Sequence, residues 1–126
     1  MNTEQVHRIL ALALGLLLLF HGVDKVTNGI DHIESMLGNY DLTSKYKEYL
    51  AYGVYIGEIV APLMLITAKY IRLAATIVAL NMLVAIFLVS SNKIFTLGAH
   101  GGWSIELPFL YLLMATLLAL WKYPSK

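Results

Sequence analysis

The sequence predicts an all-α protein: an integral membrane four-helix bundle with a short amphipathic interfacial helix between its first and second spans. Three observations predict it. The mean hydropathy of +0.70 and a charged fraction of 13% against 59% hydrophobic residues leave too few charges to cover a water-soluble surface. Four apolar segments recur along 126 residues, at about 9–26, 49–67, 71–89 and 107–121. None alternates with strand period, and an open backbone has no partners in lipid, so the spans are helices. The whole chain, 1–126, reads as one small membrane unit with the bilayer as its solvent.

The first span has a purely apolar stretch only from Ile9 to Phe20, so it must continue through His21, Gly22 and Val23 to cross. About 20 residues are needed for about 30 Å of hydrocarbon. Arg8 ahead of an apolar run has the outline of a signal peptide, but no small-x-small site follows Phe20, and the run is expected to be retained as an anchor. Between the first two spans, Ile30, Ile33, Met36 and Leu37 fall at helical spacing among polar residues, which predicts the interfacial helix. The second span carries Glu58 near its middle and Pro62 one turn later; Pro62 removes the hydrogen bond that the Glu58 carbonyl would receive and predicts a bend or an inserted water. The third aligns Ala74, Asn81 and Ala85 on one face. The fourth opens at Ser104 and Glu106, which suit a helix N-terminus that also tolerates Pro108.

With the N-terminus inside, Arg8, Lys69, Arg72, Lys122 and Lys126 face the cytoplasm beside the single acid Glu4. The outer side mixes Lys25, Lys45, Lys47 and Lys93 with five acids. The bias predicts a multi-pass inner-membrane protein with both termini cytoplasmic. A net charge of +1 gives no reason to propose nucleic acid, and the absence of cysteine excludes a disulfide framework, a thiolate metal site or a dithiol relay.

Glu58 is the most informative residue. A charge at a helix centre costs about 2.5–3.5 kcal/mol on insertion scales, so a carboxylate there is expected to face a protein interior and to have work to do. It suits a proton acceptor or a donor to a carbonyl ligand. Asn81, at similar depth on the third span, and Tyr55 are its expected hydrogen-bond partners. His21, Asp24 and Lys25 cluster at the outer end of the first span by i+3 and i+4 spacing. Lys25 reads equally as an anchor snorkelling to headgroups. With Glu106 and His100, the cluster would ring an outward-opening polar mouth above Glu58. Glu58 and Glu106 are the candidate catalytic acids; His21, Lys25, Tyr55, Asn81, His100 and Trp103 are the candidate ligand-binding residues. None of the four histidines pairs with another at ligand spacing on one helix, which argues against haem or another metal. Gly15, Gly22 and Gly29 recur at intervals of seven, a packing seam within the chain or between two copies in a homodimer, and Gly53 and Gly57 form a small-xxx-small pair.

Four of these motifs, in order, resemble the DoxX family. They are Leu-Phe-His21-Gly22-Val-Asp-Lys25; Tyr55-Ile-Gly57-Glu58 followed by Lys69-Tyr-Ile-Arg72; Asn81-Met-Leu-Val-Ala-Ile-Phe; and Gly101-Gly102-Trp103-Ser-Ile-Glu106-Leu107-Pro108. The likeness runs from about Arg8 to Trp121. Two features depart from it: Val89-Ser-Ser-Asn-Lys93 stands where many members have a histidine, and the Gly-rich Ser-Leu-Asp tail is missing. The resemblance implies a small four-helix bacterial inner-membrane protein, with relatives that include the membrane subunit of a thiosulfate:quinone oxidoreductase. It carries over to His21, Lys25, Glu58 and Glu106 as functional positions. The expected function is a quinone-binding or accessory subunit of a membrane redox system, with redox-complex subunits as partners and electrons supplied from outside the chain. The alternatives are a small-solute or proton carrier or receptor, which would need a dimer for volume, and a structural assembly factor.

Overall fold

The computed structural model describes residues 1–38, 45–88 and 106–121, without the side chains of His32, Ile33, Met36 and Leu88. Every element among them is helical: α1 (Thr3–Asn28), α2 (Asp31–Gly38), α3 (Lys47–Thr67), α4 (Ile71–Leu88) and α5 (Glu106–Leu120). Val89, His100, Trp103, Ser104, Lys122 and Lys126, to which expectations were attached above, lie outside the described residues.

α1 starts well before the first apolar residue because Asn2 caps it. The Asn2 side chain accepts from the Gln5 N–H at 2.8 Å and the Gln5 side chain accepts from the Asn2 N–H at 2.9 Å, a reciprocal capping box. It ends at Gly29, whose φ of 85° is open to glycine and whose N–H closes on the Lys25 carbonyl at 2.9 Å. α2 is the expected short amphipathic helix. Ile30 and Leu37 bury against Ala51, Val54 and Tyr55 at the start of α3, so it covers the same end of the molecule at which α1 finishes.

α3 is not a plain bent helix. It is α-helical over Lys47–Tyr55, π-helical over Ile56–Val60, and α-helical again over Ala61–Thr67. The Ala61 N–H reaches back to the Ile56 carbonyl, five residues away. Pro62 is the physical cause: it offers no N–H to the Glu58 carbonyl, and a single widened turn accommodates the missing bond where a bend or an inserted water was expected. α3 then turns into α4 through two non-glycine residues in the left-handed region, Ala68 (φ 60°) and Tyr70 (φ 52°).

The helices pack as neighbouring antiparallel pairs, α1 on α3, α3 on α4 and α4 on α5, and α1 also meets α5. The shared core is built of small and branched residues: Ala11, Leu14 and Leu18 of α1, Ala61 and Leu65 of α3, Ala74, Ala75 and Val78 of α4, and Ala115 and Leu118 of α5. Alanines at the seams let helices approach closely. The outside is apolar as well, with Leu16, Leu17, Phe20, Leu63, Leu80, Phe87, Leu113 and Leu117 all exposed. α1 and α3 are long and apolar enough to cross a bilayer, and only 28% and 33% of their apolar windows are buried inside the fold. A soluble core helix would hide most of that surface; here it faces outward, a liability in water and an asset in lipid.

Candidate functional site

Two glycines fix how α1 meets α3. A Cβ on Gly22 would lie 2.1 Å from the Glu58 carbonyl oxygen, and one on Gly15 would lie 2.8 Å from the Pro62 carbonyl oxygen. The carbonyl that Pro62 leaves without its helical donor therefore points at the bare Cα of Gly22, a Cα–H···O contact that only glycine permits at this separation. Gly15 and Gly22 are thus the α1–α3 contact within one chain. Gly29 lies beyond the helix with nothing within 4 Å, so of the three glycines only Gly15 and Gly22 pack inside the chain.

This contact sets Lys25 opposite Glu58. Side chains in a helix lean toward its N-terminus, and the two helices are antiparallel, so Lys25 leans down the bundle while Glu58 leans up to meet it. The Lys25 ammonium donates to Glu58 Oε1 at 3.1 Å and stands 3.0 Å from Oε2. The Oε2 approach is an ion contact without hydrogen-bond geometry, and Oε2 is buried with no hydrogen-bond partner. The side chains are 7% (Glu58) and 21% (Lys25) exposed, so this is an interior pair with one end of the lysine wet. The Lys25 carbonyl accepts the Tyr55 hydroxyl at 3.3 Å.

The expected Glu58–Asn81 hydrogen bond does not form among the described residues. Asn81 stands over Gly57, where a Cβ would lie 2.5 Å from its Cγ. Register explains this: the widened turn aims Gly57 at α4 and leaves Glu58 to face α1. Tyr55 likewise bonds the lysine backbone rather than the carboxylate. Asp24 leaves the cluster altogether, accepting from Asn28 Nδ2 at 2.6 Å on the exposed side. His21, one turn below Lys25, is half-buried and sets its ring edge-on to Tyr111 of α5, with centroids 5.9 Å apart at 81°. Glu106 is the exposed first residue of α5, where the helix N-terminus favours a carboxylate. No contact among the described residues ties it to Glu58.

Tyr111 was not singled out from the sequence as a site residue. It is 5% exposed, joins the core cluster, and its phenol lies within electrostatic range of Glu58. From the sequence it stands five residues into α5, about 8 Å of rise against about 16 Å for Glu58 in α3, so depth alone did not mark it. His21, Gly22, Glu58, Asn81 and Tyr111, one or more from each long helix, therefore form one polar level, with Lys25 a turn above it. At the far end, His7 is buried with its ring 5.2 Å from Trp121, and Arg72 Nε donates to the Ala119 carbonyl at 3.0 Å, satisfying an orphan acceptor at the end of α5.

Among the described residues no group of three His, Asp or Glu is placed to hold a metal ion. What the level offers is donors around one carboxylate: an ammonium, a phenol and an amide. Such a set can hold a neutral acceptor-bearing molecule and exchange a proton with it. Comparison with curated proteins and with solved structures returned no match. The DoxX family model matches residues 8–91, which takes in the Lys25–Glu58 pair, Gly22, Gly57 and Asn81 and stops short of Glu106 and Tyr111. Two thirds of the chain fit that model, helices with outward-facing apolar surfaces carry it, and the chain is a membrane protein of the DoxX family.

Proposed function

We propose that this chain is a four-span inner-membrane protein that binds a quinone as a subunit, or an accessory subunit, of a membrane redox system. The observation that carries the reading is the interior Lys25–Glu58 pair, whose second carboxylate oxygen has no hydrogen bond. From Glu58 to Thr67 is nine residues and to Lys47 eleven, about 14 and 16 Å of helix rise, which puts the carboxylate near the middle of the span. A buried ion pair adds little stability compared with apolar side chains of the same size. An ion pair kept at that depth, with one carboxylate oxygen bonded and the other in ion contact, is better explained by a ligand or proton that it serves.

The four helices, α1, α3, α4 and α5, would all cross. The end bearing Arg8, Lys69 and Arg72 would lie in the cytoplasm, and the end bearing Asp24, Asp31, Glu34 and Glu106 outside. A quinone, when bound, supplies two-electron redox chemistry that requires two protons. Lys25 would donate to one of its carbonyl oxygens, and Glu58 Oε2 would accept or return a proton at the same place. His21 would hold the aromatic wall of the site. Electrons would come from a partner subunit that contacts the outer end, since the chain's own residues carry none.

The test is binding. Wild type and the double variant K25A/E58Q, both in lipid nanodiscs, are titrated with a short-chain benzoquinone and naphthoquinone and weighed intact by native mass spectrometry. Retention by wild type and loss by the variant is expected. Equal retention by both would sink the site. A structural assembly role has one observation in its favour, the close Gly22–Glu58 and Gly57–Asn81 contacts; it predicts that E58Q keeps cellular function while bulk at Gly22 or Gly57 abolishes it.

A further inference from the structure

The polar level holds more donors than it uses. Lys25 has three N–H groups, of which one is committed to Glu58 Oε1. The Asn81 amide and the Tyr111 phenol make no hydrogen bond among the described residues, although Asn81 is half-buried and Tyr111 nearly closed off. On the acceptor side stands the unbonded Glu58 Oε2. The Tyr111 ring is buried, yet its hydroxyl oxygen is not among the enclosed unpartnered atoms, so it has neither a partner among the described residues nor apolar packing closed over it. The ring packs at 81° against His21, a residue one turn from Lys25 on the same helix, with centroids 5.9 Å apart.

Resting on the quinone reading above, we infer that Tyr111 is a ligand-contacting residue of this site, a second hydrogen-bond donor from α5 opposite the Lys25 ammonium. The two donors come from different helices, α1 and α5, and the acid from a third, α3. That arrangement selects a planar molecule with an acceptor at each end over one with a single polar head: the ammonium takes one carbonyl oxygen and the phenol the other. A ligand so held also bridges α1 to α5, which otherwise meet at this level through the His21–Tyr111 ring contact.

The experiment compares wild type with Y111F in nanodiscs, the substitution keeping the ring that packs on His21. Affinity for a short-chain benzoquinone is measured, and the infrared carbonyl bands of the bound probe are recorded. Loss of one neutral hydrogen bond predicts binding about three- to tenfold weaker. One carbonyl band should return toward its free position while the other stays shifted. Unchanged affinity and unchanged bands in Y111F, with wild type binding well, overturn the inference and leave the Lys25–Glu58 site standing. Absence of binding by wild type overturns both. With ring-labelled tyrosine in both proteins, a tyrosine C–O band that moves on probe addition in wild type and is absent from Y111F supports the inference, and a band that moves alike in both, or in neither, refutes it.

Discussion

Lys25→Met should destabilise this protein far more than Glu58→Gln, although the two remove opposite ends of one ion pair. Lys25 sits three residues before the end of α1 and keeps 21% of its side chain exposed. Without Glu58, its four-carbon stem can turn outward and carry the ammonium about one helix turn to the interface. Glu58 has no such route: it lies some 14–16 Å of helix rise from either end of α3, its side chain is 7% exposed, and the residue packed against its backbone on α1 is Gly22. Removing one partner of a buried pair costs about 3–5 kcal/mol because an uncompensated charge is left behind. Lys25→Met should therefore cost about 3 kcal/mol, the low end, since water already reaches the lysine. Glu58→Gln should cost about 1 kcal/mol, roughly the worth of one hydrogen bond.

The assay is reversible unfolding by a denaturing detergent in mixed micelles, for wild type, each single variant and the double variant. The double variant should recover about 2 kcal/mol of the Lys25→Met loss, because the stranded carboxylate is gone. Lys25→Met/Glu58→Leu should approach wild-type stability. If Glu58→Gln proves the costlier single change, or if the coupling in the cycle is near zero, the reasoning from depth and escape route is wrong.

Two other outcomes follow from the glycines. Gly22→Ala would place a methyl 2.1 Å from a backbone oxygen; backbone cannot swing aside, so α1 and α3 must separate, at a cost of about 3 kcal/mol or more, whereas Gly53→Ala meets nothing within 4 Å and should gain about 0.5–1 kcal/mol from helix propensity. Thermal midpoints of the pair, compared in one detergent, decide it; equal midpoints would refute the packing. Gly57→Ala drives into the Asn81 side chain at 2.5 Å and should lose about 1–3 kcal/mol, most of it restored by adding Asn81→Ala; a double variant no better than the single would show that the clash lies elsewhere.

Much of the helical frame was legible because composition and apolar runs report directly on what each helix must touch. The apolar stretches after Ile9 and Tyr49 gave α1 and α3, and the spacing of Ile30 and Leu37 gave α2, which buries Leu37 and has the buried Ile30 just ahead of its first residue. The helix ends moved outward by several residues where polar caps such as Asn2 extend the helix beyond its hydrophobic part. The partner of Glu58 was less legible. Depth along each helix can be counted from sequence, so Asn81 and Glu58 were placed at one level; rotation about the axis cannot be counted once a π turn intervenes, and rotation decided that Gly57 faces Asn81 while Glu58 faces Lys25. Tyr111 was hidden for a related reason. Its partner is the edge of His21, and nothing in the spacing of either helix marks a ring contact between them.

Pro62, Gly22 and Lys25 act as one device. Pro62 removes the donor that would occupy the Glu58 carbonyl and widens the preceding turn. That exposes the carbonyl sideways, where a Cβ on α1 would collide with it, so the opposing residue must be glycine. Glycine in turn brings the two backbones close enough that residues one turn along, leaning toward each other because the helices are antiparallel, meet at 3.0 Å. Replacing Pro62 or Gly22 should loosen the ion pair without touching either of its charges. The carboxylate owes its single direction to this backbone arrangement, which is why a pair of modest energetic worth can still hold an interior proton site in one place.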